Sequence, residues 1–509
     1  MTPTARPSGG EAAILADSHR SVGRQSPFAR AFDPLVHERL GALDDAVLDP
    51  GVVPALVVSI ADDLADLAGD VLLDRFARAR WRRSMAAEAT GDHDRFLGEL
   101  EDGGLAELLT SIPALSALLE QRLTERVAEA RGLVQRLLAD APMLSERFGF
   151  ELPVRTFHGL VGGSAALGSK AGVIIVYKAR PVDMDAAFAE LVGWLDRVVD
   201  SDLRPPLVIE RTDYGYMEYI PHCPPVDGHA HKRYLGCAGT LLALTTLLGS
   251  ADLHVGNIHI NGDRPVVLDA EVVLRPRRSR SVAERPSPDH TGWLAFGGYV
   301  EPSGLAAEFR LTEPGPWTGL GTDAVRRRPQ TASRHRARKR VANGLATWSP
   351  STIDAFCEGF RSGYRAMCET DPPLDVFSET RPRVILRPSR HYDAAIAQSL
   401  RPTTLAGGDT GRLEAIAKML SALPPALPDA IGGAFAAVER ATVFAAHYPR
   451  FTMPADGGAL TLAGDEIGAA IASAPLERAR RIVRQASTGD IDDHVAVIRA
   501  GLASAALDG

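Results

Sequence analysis

An aspartate, an asparagine and two further acids lie close together within residues 251–271 of this 509-residue chain. Asp252 is followed five residues later by Asn257, and Asp269 and Glu271 come after a short intervening stretch. Carboxylate and amide oxygens are the ligands that magnesium prefers, and a carboxylate can receive the proton of a reacting hydroxyl. These side chains are therefore of the types that phosphoryl transfer from a nucleoside triphosphate requires.

The residues between Asn257 and Asp269 predict a β-hairpin. Residues 258–260 and 265–268 have strand-like patterns, and Asn261-Gly262 between them is a strong turn signal. Such a hairpin would place Asn257 and Asp269 side by side at its open end, where two ligands of one ion must lie. Protein kinases use the same D-x-x-x-x-N spacing, with the second metal-binding aspartate a short hairpin later. A solvated loop with scattered acids is the alternative.

The elements before this segment predict a kinase-like small lobe. Residues 173–178 read as a buried strand that ends at Lys178, and residues 183–199 as an amphipathic helix. Two further strands are predicted at 206–209 and 216–220. Lys178 thus lies where the phosphate-pairing lysine of a kinase would lie, although a strand-end lysine is more often simply solvated. A helix over 230–248, with Gly249 as its stop, is predicted to lead into the acidic segment.

A glycine-rich segment at 163–170 has the G-x-x-x-x-G spacing of a phosphate-binding P-loop. A P-loop directs the backbone amides of a helix N-terminus at phosphate. Here Ser169-Lys170 follows the glycines and the next predicted element is a strand, so the P-loop interpretation is rejected. We expect a glycine-rich turn between strands of the small lobe.

The composition is that of an ordinary globular protein, with 45% hydrophobic residues. The chain contains no run of 18 or more apolar residues, so no membrane span is predicted. The net charge of −8 argues against general nucleic-acid binding. The four cysteines form no C-x-x-C pair, which predicts reduced thiols in the cytoplasm rather than disulfides or a zinc site.

The patterns along the chain predict an α+β fold with a kinase-like, two-lobed core and helical additions at both ends. The insertion within the large lobe is rich in arginine. It is either a solvated basic linker or a surface for an acidic peptide or a phosphorylated intermediate. The predicted regions are a disordered N-terminus at 1–29, a helical domain at 30–150, the small lobe at 151–225, the large lobe at 226–400 with its activation-segment-like insertion at 275–345, and a mostly helical region at 401–509 with one extended patch at 448–453.

Six separated blocks occur in order along the chain: Tyr177-Lys178-x-Arg180-Pro181, residues 213–220, Asp252-x-His254-x-x-Asn257, Asp269-x-Glu271, residues 353–364 and residues 383–392. Together they resemble the dehydratase domain of class II lanthipeptide synthetases, the LanM family, from about residue 152 to about 392 and more loosely to about 470. The resemblance implies a core similar to that of lipid kinases and a reaction in two steps. ATP first phosphorylates Ser or Thr of a ribosomally made precursor peptide, and elimination of phosphate then leaves dehydroalanine or dehydrobutyrine.

The resemblance also implies roles for individual side chains around ATP or ADP and Mg²⁺. Asp252 would position the peptide hydroxyl, and Asn257 and Asp269 would hold the magnesium. A lysine with a lowered pKa could act as the base for elimination. The full set implied is Asp252, His254, His158, Lys178, Arg383 and Ser389 as catalytic residues, with Asn257, Asp269 and Glu271 for the metal and, together with Lys178, for the nucleotide.

The chain departs from the family pattern at several positions. Thr156 stands where the family has a carboxylate, which bears on elimination more than on phosphorylation. Ser389 replaces a threonine and keeps the hydroxyl. The zinc-binding cyclase domain of the family is not found within the 509 residues, so we expect either a separate lanthionine cyclase that acts afterwards on the same leader-containing precursor, or another use for the dehydrated or phosphorylated residues. A kinase without elimination activity and an inactive precursor-binding module are the alternative functions.

Overall fold

A computed structural model describes residues 26–85, 91–159, 163–251, 253, 257–276, 286–294, 317–327, 349–422, 429–462, 464–468 and 473–507. Over these residues the protein is a mixture of helices and strands, so the predicted α+β class is confirmed. None of the described helices is both long and apolar enough to cross a bilayer. The positions of Asp252 and His254, and most of the predicted insertion at 275–345, lie outside the described residues.

Helices dominate both ends of the chain, and most strands lie between them. In chain order the α-helices are α1 (Asp33–Leu40), α2 (Val53–Leu67), α3 (Gly69–Met85), α4 (Asp92–Glu99), α5 (Leu105–Ser111), α6 (Pro113–Phe148), α7 (Asp183–Val199), α8 (Gly228–Leu248), α9 (Pro350–Glu369), α10 (Ser389–Ser399), α11 (Pro402–Leu405), α12 (Gly408–Ser421), α13 (Asp429–Phe444), α14 (Pro475–Gln485) and α15 (Ile491–Leu507). The strands are β1 (Val154–Gly159), β2 (Ser164–Ser169), β3 (Ile174–Lys178), β4 (Val208–Glu210), β5 (Gly215–Glu218), β6 (Ile258–Asn261), β7 (Arg264–Val267), β8 (Trp317–Thr318), β9 (Arg326–Arg327), β10 (Phe451–Thr452), β11 (Leu460–Leu462) and β12 (Asp465–Gly468).

The chain forms two compact units, each made of several segments. The division after Tyr177 falls at the end of β3, inside the predicted small lobe at 151–225, so Lys178 is the first residue of the second unit. The first unit comprises Met1–Tyr177, Pro314–Pro329 and Ile396–Ile416, and the second comprises Lys178–Glu313, Gln330–Ala395 and Ala417–Gly509.

The first unit is built on α6. This helix begins at Pro113, where the missing N–H costs nothing, and ends at Gly149 in the left-handed conformation (φ 68°). Its apolar residues recur at helical spacing and are buried against α1, α2 and α5. The described residues begin at Ser26, and Phe28 is fully buried, so the prediction of disorder through residue 29 is wrong for residues 26–29. Burial of the aromatic side chain of Phe28 stabilises this short segment against the rest of the unit.

The glycine-rich segment at 163–170 is mostly a strand rather than a turn. Residues 164–169 form β2, which pairs antiparallel with β1, so our expectation of a turn there is wrong. Gly168 lies opposite Thr156, and a Cβ at Gly168 would come within 2.1 Å of Thr156 Oγ1. The glycine therefore makes room for the threonine side chain of the neighbouring strand. The turn follows at Gly172, whose φ is +81°.

The second unit has a large apolar core around α8. Asp227 accepts hydrogen bonds from the first amides of this helix, and Gly249 ends it at φ 69°, where the sequence predicted the stop. Apolar residues of α7, α8, α9, α14 and α15 form one buried cluster. Close helix packing depends on glycine, since a Cβ at Gly359 of α9 would lie 1.9 Å from the carbonyl oxygen of Gly236. The long buried α8 thus fixes the start of the acidic segment.

The predicted acidic hairpin is present in the second unit. β6 and β7 pair antiparallel, with Ile258 opposite Val267 and Asn261 opposite Arg264. The two loop residues are Gly262 and Asp263, one position later than the predicted Asn261-Gly262 turn. Gly262 has a φ of +64°, so it takes the left-handed position that glycine occupies without strain.

The C-terminal part of the second unit contains a sheet that the sequence patterns did not predict. β10, β11 and β12 form a three-stranded antiparallel sheet inside the predicted mostly helical region at 401–509. The predicted extended patch at 448–453 contributes only β10. β11 and β12 are short, and segments of this length carry too little periodicity to be distinguished from a helix or a loop.

Candidate functional site

Lys178 is placed at the end of β3 and its side chain is only 8% exposed. Its Nζ donates to the carbonyl oxygen of Leu268 at 2.6 Å and lies 3.3 Å from Oδ2 of Asp185, in the first turn of α7. Burial lowers the pKa of Lys178, and the Asp185 carboxylate opposes that shift. The predicted strand-end lysine is therefore anchored to both the helix and the acidic hairpin.

Asp185 is a site residue that the sequence analysis missed. Its Oδ2 also accepts from Arg180 Nη1 at 2.9 Å, and its Oδ1 accepts from the backbone N–H of Ala270 at 3.0 Å. One buried carboxylate thus joins α7, the residues after β3 and the chain after the hairpin. A usable signal existed, since Asp185 is an acid in the first turn of the helix that directly follows the lysine strand.

The open end of the hairpin brings Asn257 and Asp269 to the same place. The backbone carbonyl of Asn257 accepts from the N–H of Leu268 at 2.8 Å, and Asp269 is the next residue. Oδ1 of Asp269 accepts from Arg180 Nη2 at 2.9 Å. Burial raises the pKa of Asp269, against the opposing effect of Arg180. The position of these two residues agrees with the expected geometry, and their roles remain predictions.

Glu271 is surrounded by arginines. Its Oε1 accepts from Arg383 Nη1 at 2.5 Å and its Oε2 from Arg450 Nη2 at 2.7 Å, while Arg180 Nε lies 3.8 Å away. Burial alone would raise the pKa of Glu271, but the guanidinium groups of Arg450, Arg383 and Arg180 outweigh it and hold the pKa at about 2. The carboxylate is therefore firmly ionised in this environment.

The backbone holds Arg383 and Arg450 beside each other. The N–H of Arg383 donates to the carbonyl oxygen of Glu271 at 2.7 Å, and Arg383 forms an antiparallel bridge with Thr452 of β10. Arg450 directly precedes β10. The sequence analysis missed Arg450, because nothing in a lone arginine before a two-residue strand distinguishes it from a surface charge.

The other predicted site residues are carried by other elements. His158 is on β1 and belongs to the first unit, whereas Lys178, Asp269 and Glu271 belong to the second. Ser389 is exposed and is the first residue of α10. No position can be assigned to Asp252 or His254, which lie outside the described residues.

The oxygen atoms at the hairpin suit a hard cation such as magnesium only in part. Across the described residues, no group of three or more Asp, Glu, His or Cys side chains is arranged to hold a metal ion. Asp269 uses Oδ1 for its hydrogen bonds and, among these residues, keeps Oδ2 without one. Asn257 and Asp269 therefore fit an oxygen-ligated ion. Both oxygens of Glu271 are engaged by guanidinium groups, so Glu271 fits only after exchanging a partner.

The protein family described as "Domain of unknown function (DUF4135)" matches residues 112–453. The match starts at the beginning of α6, covers Lys178, the hairpin, Arg383 and Arg450, and ends just after β10. No curated protein matches the chain. Since the match covers well over half of the 509 residues, this chain belongs to the DUF4135 family, a domain that is found in LanM-type lanthipeptide synthetases.

Proposed function

We propose that this protein is an ATP-dependent peptide dehydratase of the lanthipeptide type, built on a two-lobed, lipid-kinase-like core. It phosphorylates Ser or Thr of a ribosomally made, leader-containing precursor peptide and then eliminates the phosphate, leaving dehydroalanine or dehydrobutyrine. The observation that carries the proposal is the double attachment of Lys178. Its Nζ contacts Asp185 on α7 and the carbonyl oxygen of Leu268, directly before Asp269.

The attachment of Lys178 matches what phosphoryl transfer requires. In protein kinases a strand lysine pairs with a carboxylate on the following helix, and a metal-binding aspartate lies nearby. Here Asp185 supplies the helix carboxylate and Asp269 the hairpin aspartate. Lys178 would bind the phosphates of ATP or ADP. By the family resemblance, Asp252 would orient the peptide hydroxyl and His254 would lie in the same loop.

Asn257 and Asp269 are the side chains that would hold magnesium, and Glu271 would join them after releasing one of its arginine partners. When bound, the ion would supply positive charge to the triphosphate oxygens. The protein contributes the position of the ligands. In the hairpin register, Asn257 lies opposite Leu268, the residue directly before Asp269. Arg180 keeps the other oxygen of Asp269 occupied and so orients the carboxylate.

The elimination half of the reaction needs a base and cations for the departing phosphate. The base removes the Cα proton, the C–H electrons form the Cα=Cβ double bond, and the Cβ–O bond breaks with its electrons on the phosphate oxygen. Burial lowers the pKa of Lys178, which favours a neutral amine that can accept a proton. Arg383 suits the phosphate because its planar fork pairs with two oxygens. By resemblance, Ser389 and His158 would also act in this site.

A kinase without elimination activity is the second candidate, and the position of Thr156 favours it. Thr156 stands where the LanM family has a carboxylate, and its hydroxyl lies over Gly168 of the paired strand. A hydroxyl carries no charge, so it does not replace the electrostatic effect of a carboxylate. Such a protein would release phosphoserine or phosphothreonine peptides instead of dehydrated ones.

Mass spectrometry of a precursor peptide co-expressed with this chain in the cytoplasm distinguishes the candidates. Loss of one water for each modified residue is expected for the dehydratase, and gain of one phosphate for the kinase alone. An unmodified peptide that still binds the protein would show an inactive binding module and refute the proposal. Asp269→Asn serves as the inactive control.

A further inference from the structure

Arg450 is a cation in the proposed site to which the family resemblance gives no role. Its Nη2 donates to Glu271 Oε2 at 2.7 Å, while Arg383 holds the other oxygen of the same carboxylate. The side chain of Arg450 is 32% exposed, so solvent reaches part of it. Its Nε is buried and, within the described part of the chain, has no hydrogen-bond partner. Arg450 therefore has donor capacity that Glu271 does not use.

The backbone fixes Arg450 relative to Arg383. Phe451, the next residue, is almost fully buried in a small apolar cluster, and its carbonyl oxygen accepts from the N–H of Val384 at 2.8 Å. Arg383 pairs with Thr452 across an antiparallel bridge. Arg450 directly precedes β10, and its guanidinium reaches the same carboxylate as that of Arg383. The two guanidinium groups are thus presented together.

The surroundings of Arg450 carry a surplus of positive charge. Among the described residues, the guanidinium groups of Arg383 and Arg450 share the single carboxylate of Glu271, which favours an additional anion beside them. The interacting groups are the cations Lys178, Arg180, Arg383 and Arg450 and the carboxylates Asp185, Asp269 and Glu271.

We propose that Arg450 is a second phosphate-binding residue, which with Arg383 holds the phosphate group as it leaves the phosphorylated Ser or Thr. The inference rests on the proposed function, because that reaction supplies the phosphate monoester. The two oxygens of Glu271 already show that one anion can be shared by both guanidinium groups, one on each oxygen. When the Cβ–O bond breaks, negative charge grows on the departing phosphate, and the N–H groups of Arg450 stabilise it.

Inorganic phosphate is the direct probe, and it needs no peptide. Phosphate is titrated by calorimetry at low ionic strength into the full-length chain and into Arg450→Gln, Arg450→Lys and Arg484→Gln. We expect saturable binding by the wild-type protein and at least tenfold weaker binding by Arg450→Gln. Arg450→Lys is expected to lie between them, because lysine keeps the charge and loses the fork. Arg484 is an exposed arginine on α14 that pairs with Glu477, so its variant should match the wild type.

Two results would overturn the inference. One is equal phosphate affinity in the wild type and in Arg450→Gln, and the other is an absence of saturable phosphate binding by the wild type. Thermal melting followed by circular dichroism checks that each variant is folded. If Arg450→Gln fails to fold, Arg450→Lys becomes the test. A phosphate affinity of Arg450→Lys equal to that of the wild type would then count against a role for the guanidinium fork.

A second measurement separates this inference from the proposed function. With a co-expressed precursor peptide, Arg450→Gln should accumulate phosphorylated peptide where the wild type yields dehydrated peptide. Full dehydration by Arg450→Gln would overturn the role of Arg450 and leave the proposed function intact. An unmodified peptide with the wild-type protein would instead refute the proposed function and with it the role of Arg450 in elimination, and the titration would then decide only whether Arg450 binds phosphate.

Discussion

Two glutamates of the second unit bind arginine in opposite ways. Each carboxylate oxygen of Glu439 accepts a hydrogen bond from the same arginine, Arg387, at 2.6 and 3.0 Å, and the two side chains are 2% and 5% exposed. Glu271 divides its oxygens between Arg383 and Arg450, which are 27% and 32% exposed. The Arg387–Glu439 pair is buried, and its two charges balance. The arginines around Glu271 are partly exposed to solvent.

The difference indicates different tasks for the two glutamates. Tyr392 donates a further hydrogen bond to Glu439 at 2.9 Å, which ties α10 to α13 inside the protein. A buried pair of this kind fixes the packing of helices, because breaking it leaves an unpaired charge. Around Glu271, by contrast, the partly exposed cations can exchange a carboxylate for another anion. We therefore expect substitutions in the closed pair to cost stability and those in the open cluster to cost activity.

The largest effect is expected from Asp269→Asn. Modification of the precursor peptide should fall by about a thousandfold or more, which corresponds to about 4 kcal/mol of activation free energy. Stability should change little, because burial raises the pKa of Asp269 and the folded protein therefore disfavours its charge. Peptide mass spectrometry and urea unfolding measure the two quantities. Asp263→Asn, in the loop of the same hairpin, is the matched control, and an active Asp269→Asn protein would contradict the proposed site.

Arg387→Ala should have the largest effect on stability. Loss of one partner leaves Glu439 buried and unpaired, at a cost of about 3–5 kcal/mol in the free energy of unfolding. The double variant Arg387→Met/Glu439→Leu should recover most of that loss, since no charge is left buried alone. Urea denaturation provides the measurement. A loss below about 1 kcal/mol in Arg387→Ala would remove the distinction between the two glutamates.

Arg383→Ala should act on elimination and leave the fold in place. Removing one preorganised donor to developing charge typically slows a step by about a hundredfold or more, so phosphorylated peptide should accumulate. The exposed fraction of Arg383 limits its contribution to stability to about 1 kcal/mol. Ser389→Ala should give the same product if the family assignment holds. Peptides dehydrated at the wild-type rate by both variants would show that elimination occurs elsewhere.

The smallest expected effect is the pH dependence that Glu271 contributes. Its pKa is about 2 in the folded protein and ordinarily 4.5, so the unfolded chain takes up the proton first as the pH falls. The stabilisation is complete above pH 4.5 and declines towards pH 2. Between pH 6.5 and pH 4 the wild type should lose about 1 kcal/mol relative to Glu271→Gln. Urea unfolding at both pH values tests this, and a constant difference would show that the arginines do not hold Glu271 ionised.

Much of the local structure could be predicted from the sequence. Helix α7 has the predicted bounds, α8 ends at the predicted glycine, and the acidic hairpin is present with its turn shifted by one residue. These features depend on neighbouring residues, because helix periodicity, capping and turn preferences act over a few positions. The prediction at 163–170 was wrong because the role of Gly168 depends on Thr156 in the neighbouring strand, which no local pattern contains.

The sequence by itself determined which chemistry-bearing residues occur and in what order, from Lys178 through the hairpin acids to Arg383. Only the tertiary structure decided which charges meet. Asp185 joins Lys178 to the hairpin, and Arg450 reaches Glu271 across 179 positions of the chain. Such pairings follow from how helices and strands pack over long separations. The pKa of each ionisable group then depends on its burial and on all of its charged neighbours, which the order of residues does not specify.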